Sequence, residues 1–209
     1  MTDVATNLAA IRARVGDDVA ILAVTKGFGP DAVVAAAAAG LPAIGENYAQ
    51  ELLTKAEVAA ELGVVVHFIG QLQTNKVRQL AAPVGVWETV DRPRLAAEIA
   101  RRAPGATVLV QVATTGEQGK GGCPIADVPD LVRTARDAGL SVEGLMTVGP
   151  THGGPEAARP GFRAVRRLAD DLGLTTCSMG MSGDLEVAVE EGATEVRVGT
   201  ALFGPRTPR

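Results

Sequence analysis

The sequence predicts an α/β fold, a single (β/α)8 TIM-type barrel domain spanning residues 1–209 with its N-terminal helix completing the outer ring. Three observations point to it. Short apolar runs rich in Val, Ile and Ala alternate along the whole chain with longer helix-like stretches, the order that a parallel sheet requires. Several of those stretches close on a glycine, as at Gly40, Gly63, Gly139, Gly173 and Gly192. The amphipathic segment Val4–Val15 precedes the first strand, and nothing helical is expected after the last because Ala201–Arg209 is short. The leading helix can therefore take the vacant eighth place. An open doubly wound sheet is the alternative.

In chain order the strands are expected at Val19–Thr25, Pro42–Ile44, Val64–Ile69, Val84–Val90, Thr107–Ala113, Val142–Val148, Thr175–Met179 and Glu195–Gly199. Helices are expected at Asp31–Ala39, Tyr48–Glu61, Arg92–Arg102, Val128–Ala138, Pro155–Leu172 and Ser182–Glu191. The most apolar window, Ala32–Ile44, is broken by Gly40 and Pro42 and is too short to cross a bilayer. It reads as a helix followed by a buried strand. No linker divides the chain.

Composition narrows the function. With 46% hydrophobic but only 3% aromatic residues, the core must be built from Ala, Val and Leu. A formal net charge of −4 with scattered Lys and Arg offers no basic field for nucleic acid. The early Asp3 and the lack of a long apolar stretch argue against a signal peptide, so a cytoplasmic monomer without a membrane partner is expected. Cys123 and Cys177 read as reduced thiols. With His67 and His152 they form no close pairs of the metal-binding kind, and no metal site is expected.

A barrel places its chemistry at the C-terminal ends of its strands. There the chain carries Lys26, then Gly45-Glu46-Asn47-Tyr48, Gly70-Gln71, Ser178-Met179-Gly180 and Gly199-Thr200. Alternation puts Lys26 on the face of Leu22 and Val24, so its stem leaves from a buried side and its amine can form a Schiff base with an aldehyde. In the last strand Val196 and Val198 share one face, which turns Arg197 inward, where its permanent charge requires a carboxylate, a phosphate or a cofactor acceptor. Gly199-Thr200 supplies amides and a hydroxyl suited to a phosphate at the usual corner after strands seven and eight. Ser178 and Ser182 flank that corner, and Ser182 equally suits a helix N-cap. The glycine-rich segment from Thr115 to Gly122 lacks the spacing of a nucleotide loop and reads as a mobile loop with a solvated Lys120. His67 suits a packed core position or a site position equally.

The segments Ala23-Val24-Thr25-Lys26, Gly45-Glu46-Asn47-Tyr48, His67 through Lys76, Gly144-Leu145-Met146, Ser178 through Asp184 and Val196 through Leu202 together resemble the pyridoxal phosphate homeostasis protein family (YggS/PROSC type). The resemblance runs over nearly the whole chain. It implies a barrel related to the N-terminal domain of alanine racemases, with pyridoxal phosphate held on Lys26 and Asn47 beside it. It also implies that Arg197 faces the pyridine nitrogen and that Ser178, Gly199 and Thr200 hold the phosphate. The chain departs from many members after the lysine, carrying Gly27-Phe28-Gly29-Pro30 where they continue Thr-Lys-Pro.

Residue chemistry favours a carrier over a catalyst. Enzymes that use the pyridine ring as an electron sink pair its nitrogen with a carboxylate, which an arginine cannot replace. The only tyrosine is Tyr48, and the chain has no residues for the second domain that supplies a catalytic tyrosine in alanine racemases. The expectation is a protein without catalytic residues that buffers or delivers pyridoxal phosphate, with recipient enzymes as partners. The alternatives are an amino-acid racemase on the same Schiff base, and an aldolase or isomerase in which Lys26 attacks a sugar carbonyl.

Overall fold

β-branched runs of period two build the strands, and the computed structural model, which describes residues 3–117 and 119–205, closes them into a barrel. The strands are β1 (Ala20–Val24), β2 (Ala43–Glu46), β3 (Val65–Phe68), β4 (Val86–Val90), β5 (Thr107–Ala113), β6 (Cys123–Pro124), β7 (Ser141–Met146), β8 (Thr176–Ser178) and β9 (Glu195–Val198). Eight of them form a parallel ring in the order β1-β2-β3-β4-β5-β7-β8-β9, closed by β9 against β1, while the two-residue β6 is appended to β5. The ring matches the predicted strands one for one.

The helices are α1 (Val4–Val15), α2 (Asp31–Ala38), α3 (Ala49–Glu61), α4 (Val77–Leu80), α5 (Pro93–Arg102), α6 (Val128–Asp137), α7 (Arg159–Asp171), α8 (Leu185–Glu190) and α9 (Thr200–Phe203). Helix α1 packs where a helix after β9 would lie: Asn7 Nδ2 donates to the Leu202 carbonyl at 2.8 Å, and Arg14 pairs with Glu186 of α8 at 2.6 Å. The glycines expected to close helices adopt left-handed φ values of 63° to 86°.

Three expectations need correction. The last strand is followed by the single turn α9, which Gly199 leads into directly and which closes on Gly204 at a φ of 84°; residues 206–209 lie outside the described residues. A short helical turn at Thr74–Lys76 and α4 also fill the β3–β4 connection, where no helix was expected. Helix α8 begins at Leu185, with Asp184 at its N-cap position and its carboxylate accepting from the Met181 amide at 2.6 Å, so Ser182 is no cap.

The apolar core lies between ring and helices, where Ile21, Ala23, Ile44, Val66, Phe68, Val196 and Val198 face outward with Trp87, Leu95, Ile99 and Phe162. Leu22, Val24, Leu109 and Met146 are equally buried but stand apart from that layer, inside the barrel. The inner face of β1 is therefore the face on which Lys26 was expected. Among the described residues no helix is long and apolar enough to cross a membrane.

Candidate functional site

Parallel pairing fixes which strand ends meet. Ala23 and Val24 lie opposite Ile44 and Gly45 of β2, and Ala23 lies opposite Val198 of β9. Carried forward along the strands, this register sets half-buried Lys26 level with Asn47 on one side and with Ala201, just past Gly199–Thr200, on the other. Gly45 makes room for this arrangement, because a Cβ there would meet the Leu22 and Ile69 side chains at 3.0–3.1 Å. At Gly70 a Cβ would fall 2.0 Å from the Asn47 carbonyl, so only glycine lets the β3 end pass beside Asn47.

Lys26 rests on a buried polar anchor that the sequence did not disclose. Lys55 of α3 is 2% exposed, and its Nζ donates to the Thr25 carbonyl at 2.7 Å and to Glu46 Oε1 at 2.5 Å. Thr25 Oγ1 donates to the same carboxylate oxygen. Burial pushes the Glu46 carboxyl above its ordinary range, against the bonds from Lys55 and Thr25 that pull it down. Next to Lys26, the Gly27 amide donates to Glu51 Oε2 at 2.7 Å, and Phe28 stacks at a tilt on Phe203 of α9 with centroids 5.2 Å apart.

Arg197 points into the barrel and is 4% exposed, as the alternation of β9 required. Its Nη1 donates to Ser178 O at 2.6 Å and Ser178 Oγ at 2.8 Å, and its Nη2 donates to Thr147 O at 2.7 Å. The guanidinium is thus held by carbonyls at the ends of two neighbouring strands. Ser178 Oγ in turn donates to Glu88 Oε2 at 2.7 Å, so the serine hydroxyl faces inward, toward Arg197 and Glu88.

Below Arg197, His67 Nδ1 lies 2.7 Å from Glu88 Oε1 and 3.8 Å from Glu195 Oε2. Although burial opposes it, the neighbouring carboxylates raise the His67 pKa, and the bond to His67 keeps Glu88 below its ordinary value despite complete burial. Burial, with the Glu88 charge adding to it, pushes Glu195 up to about 7. His67 therefore belongs to a polar barrel interior and is not packed among apolar core residues.

At the mouth, Gly199 and Thr200 follow Arg197. The bonded amides of the α9 turn begin at Leu202, which donates to Gly199 O at 2.9 Å, so the Thr200 and Ala201 amides precede the first bonded one. Thr200 is exposed. Asn47 Oδ1 is buried without a hydrogen-bond partner, an acceptor that a ligand donor would satisfy. A cavity of about 340 Å³ at the mouth is lined by Asn47, Ile69, Gly70, Gln111, Met146 and Val148, with the described part of the glycine-rich loop along its rim.

That loop is tied down, and Lys120 is not solvated as expected. Lys120 Nζ donates to the Gly149 carbonyl at 2.6 Å and pairs with Glu117 at 2.8 Å, while Glu117 accepts from the Thr151 amide and hydroxyl at 2.8 and 2.6 Å. Lys120 and Thr151 hold Glu117 at about 2. Gln118 lies outside the described residues.

These features define a barrel of the alanine racemase N-terminal domain family, whose match covers residues 1–207. Within it, the chain belongs to the pyridoxal phosphate homeostasis protein family. It is 40% identical over 223 aligned residues to the Pseudomonas aeruginosa pyridoxal phosphate homeostasis protein, covering 99% of this chain and 97% of that one. The Aquifex aeolicus protein of the same name is 45% identical over 178 residues, covering 80% of this chain and 78% of its own. The solved structure of PipY from Synechococcus elongatus with PLP bound superimposes with a TM-score of 0.88 at 31% identity, covering 96% of this chain and all of that one.

Proposed function

We propose that this chain, acting as one cytoplasmic barrel domain, binds pyridoxal phosphate on Lys26 and buffers or delivers it to recipient enzymes, without robust catalysis of its own. The observation that carries this reading is the register that brings Lys26 level with Asn47 at the barrel mouth, beside the end of β9 where Gly199–Thr200 follow the inward Arg197. PLP bound in the PipY structure, and relatives named as homeostasis proteins and not as enzymes, support it.

When bound, the cofactor supplies an aldehyde that condenses with a lysine amine, and a ring that can draw electrons from a bound amino acid. The chain's own residues divide the binding work. Lys26 provides the amine, while Asn47 offers its unpartnered Oδ1 from the adjacent strand end. At the phosphate corner Gly199 allows close approach, Thr200 offers its amide and hydroxyl, and Ala201 offers its amide. Ser178, expected at the phosphate, has its hydroxyl bonded to Arg197 and Glu88, and with Thr147 it sets the position of Arg197.

Arg197 holds a positive charge where a sink enzyme places a carboxylate, so a proton on the ring nitrogen is disfavoured. Tyr48, the sole tyrosine, is 59% exposed at the rim. The arrangement favours holding the cofactor over turning over an amino acid. The deciding experiment is the visible spectrum of protein loaded with pyridoxal phosphate, followed by borohydride reduction and peptide mapping. A stoichiometric adduct on Lys26, lost with its absorption band in folded Lys26→Ala, is expected; a full adduct on another lysine in that variant overturns the assignment.

A further inference from the structure

Cys and His spacing along the chain gives no hint of a metal site, yet the closed barrel brings three potential ligands together from β3, β4 and β9. His67, Glu88 and Glu195 each offer an atom, and these atoms lie within 4.8 Å of one another. Two observations separate this group from an ordinary acidic cluster. Glu195 is 8% exposed, and its Oε1 is buried with no hydrogen-bond partner. A cavity of about 550 Å³ also opens at the N-terminal end of the barrel, opposite the proposed cofactor mouth, and reaches His67 and Glu195 past Leu22, Leu109 and Glu143.

The charge balance accommodates a cation. Among the described residues Glu88 and Glu195 face a single guanidinium, that of Arg197, which Glu88 meets through Ser178. Protons held between His67 and the two carboxylates balance this interior in the empty site, and a divalent ion displaces them on binding.

We infer that the barrel interior binds one divalent first-row transition-metal ion, of which zinc is the fitting probe, through His67 Nδ1, Glu88 and Glu195. One imidazole and two carboxylates are a ligand set that zinc accepts, and water from the N-terminal cavity completes the coordination. Ligand atoms about 2.0–2.2 Å from a tetrahedral ion stand roughly 3.3–3.6 Å apart. His67 and Glu88, now 2.7 Å apart, need to separate by less than an ångström, and Glu195, now 3.8 Å from His67, needs to approach by a few tenths. The Ser178 hydroxyl already orients Glu88 through its other oxygen, the outer contact that a ligating carboxylate requires. Arg12 and Glu143 are the charged groups lining the cavity toward solvent; the Arg12 guanidinium is turned to the Gly16 and Val19 carbonyls, and Glu143 is the anionic group on the entry path.

The test uses full-length protein stripped of metal with chelator and freed of pyridoxal phosphate, so its outcome does not depend on the cofactor reading. Titration with cobalt(II), read by its visible ligand-field band, should show one tight equivalent of four- or five-coordinate ion. Zinc(II) should abolish the band in competition. Glu195→Gln and His67→Gln should each weaken binding at least tenfold while circular dichroism confirms folding, and Glu88→Gln serves if either fails to fold. The surface control His152→Ala should change nothing. A folded protein that gives no band, or one that binds cobalt equally well in the ligand variants, overturns the site.

Discussion

Lys55 of α3 and Glu46 of β2 form a buried ion pair at 2.5 Å directly beneath the strand end that presents Lys26. The pair reaches from helix to barrel and also fixes the Thr25 carbonyl, so it ties the position of the preceding residue to the outer ring. Removing one partner of such a pair typically costs about 3–5 kcal/mol, whereas replacing both with apolar residues of similar volume is near neutral. Lys55→Met should therefore destabilise the protein strongly, and Lys55→Met with Glu46→Leu should recover most of the loss. Urea unfolding midpoints at constant slope check this.

The same variant carries a pH signature. Burial already raises the Glu46 carboxyl above its unfolded value, and losing Lys55 raises it further. A raised carboxylate pKa means that the folded state binds the proton more tightly, so stability is retained below the unfolded value and lost as pH rises through the folded one. Lys55→Met should lose more stability relative to the parent at pH 8 than at pH 5. An equal loss at both would show that Glu46 does not titrate with the fold.

Arg197 should be sensitive for a separate reason. Arg197→Met removes the donors to Ser178 and Thr147 and strips Glu88 and Glu195 of their nearby cation, so a loss of about 3–5 kcal/mol is expected by analogy with a broken buried pair. Arg197→Glu addresses the ring: nitrogen NMR of labelled cofactor in the loaded fraction should report a protonated pyridine. An unchanged nitrogen shift in a folded, loaded variant would mean that Arg197 does not contact the ring.

Loaded protein incubated with L-alanine in deuterated water should show little exchange at the α-carbon and no D-alanine. The proposed site offers Lys26 on one face and an arginine at the ring nitrogen, with no evident acid or base placed on the other face. Proton NMR and chiral chromatography measure both quantities, and rapid racemisation would replace the carrier reading with the enzyme one.

Thiol chemistry should be silent in the native protein. Both cysteines are buried and free, and burial raises both thiols, Cys177 to about 11. A thiol reagent at pH 8 should label neither residue quickly and both after denaturation, since the thiolate is the reactive form. Fast labelling of native Cys177 would contradict its burial in β8.

The sequence by itself determined the ring of strands, the inner face of β1 formed by Leu22 and Val24, and the inward turn of Arg197. Those follow from period-two alternation and from glycines with no penalty for left-handed backbone, both local properties of the chain. What Arg197 meets was decided by tertiary structure alone. Ser178 is 19 residues away in sequence and Thr147 is 50, brought together by the pairing of β7, β8 and β9, while Glu88 lies 90 residues from Ser178 and meets it only because the ring closes. Lys55 was equally hidden, because a helical lysine reads as solvated until α3 is laid over the end of β2. The His67, Glu88 and Glu195 cluster draws one residue from each of three strands, the consecutive β3 and β4 and the last strand β9. No spacing rule along a sequence registers ligands that meet only across a closed barrel.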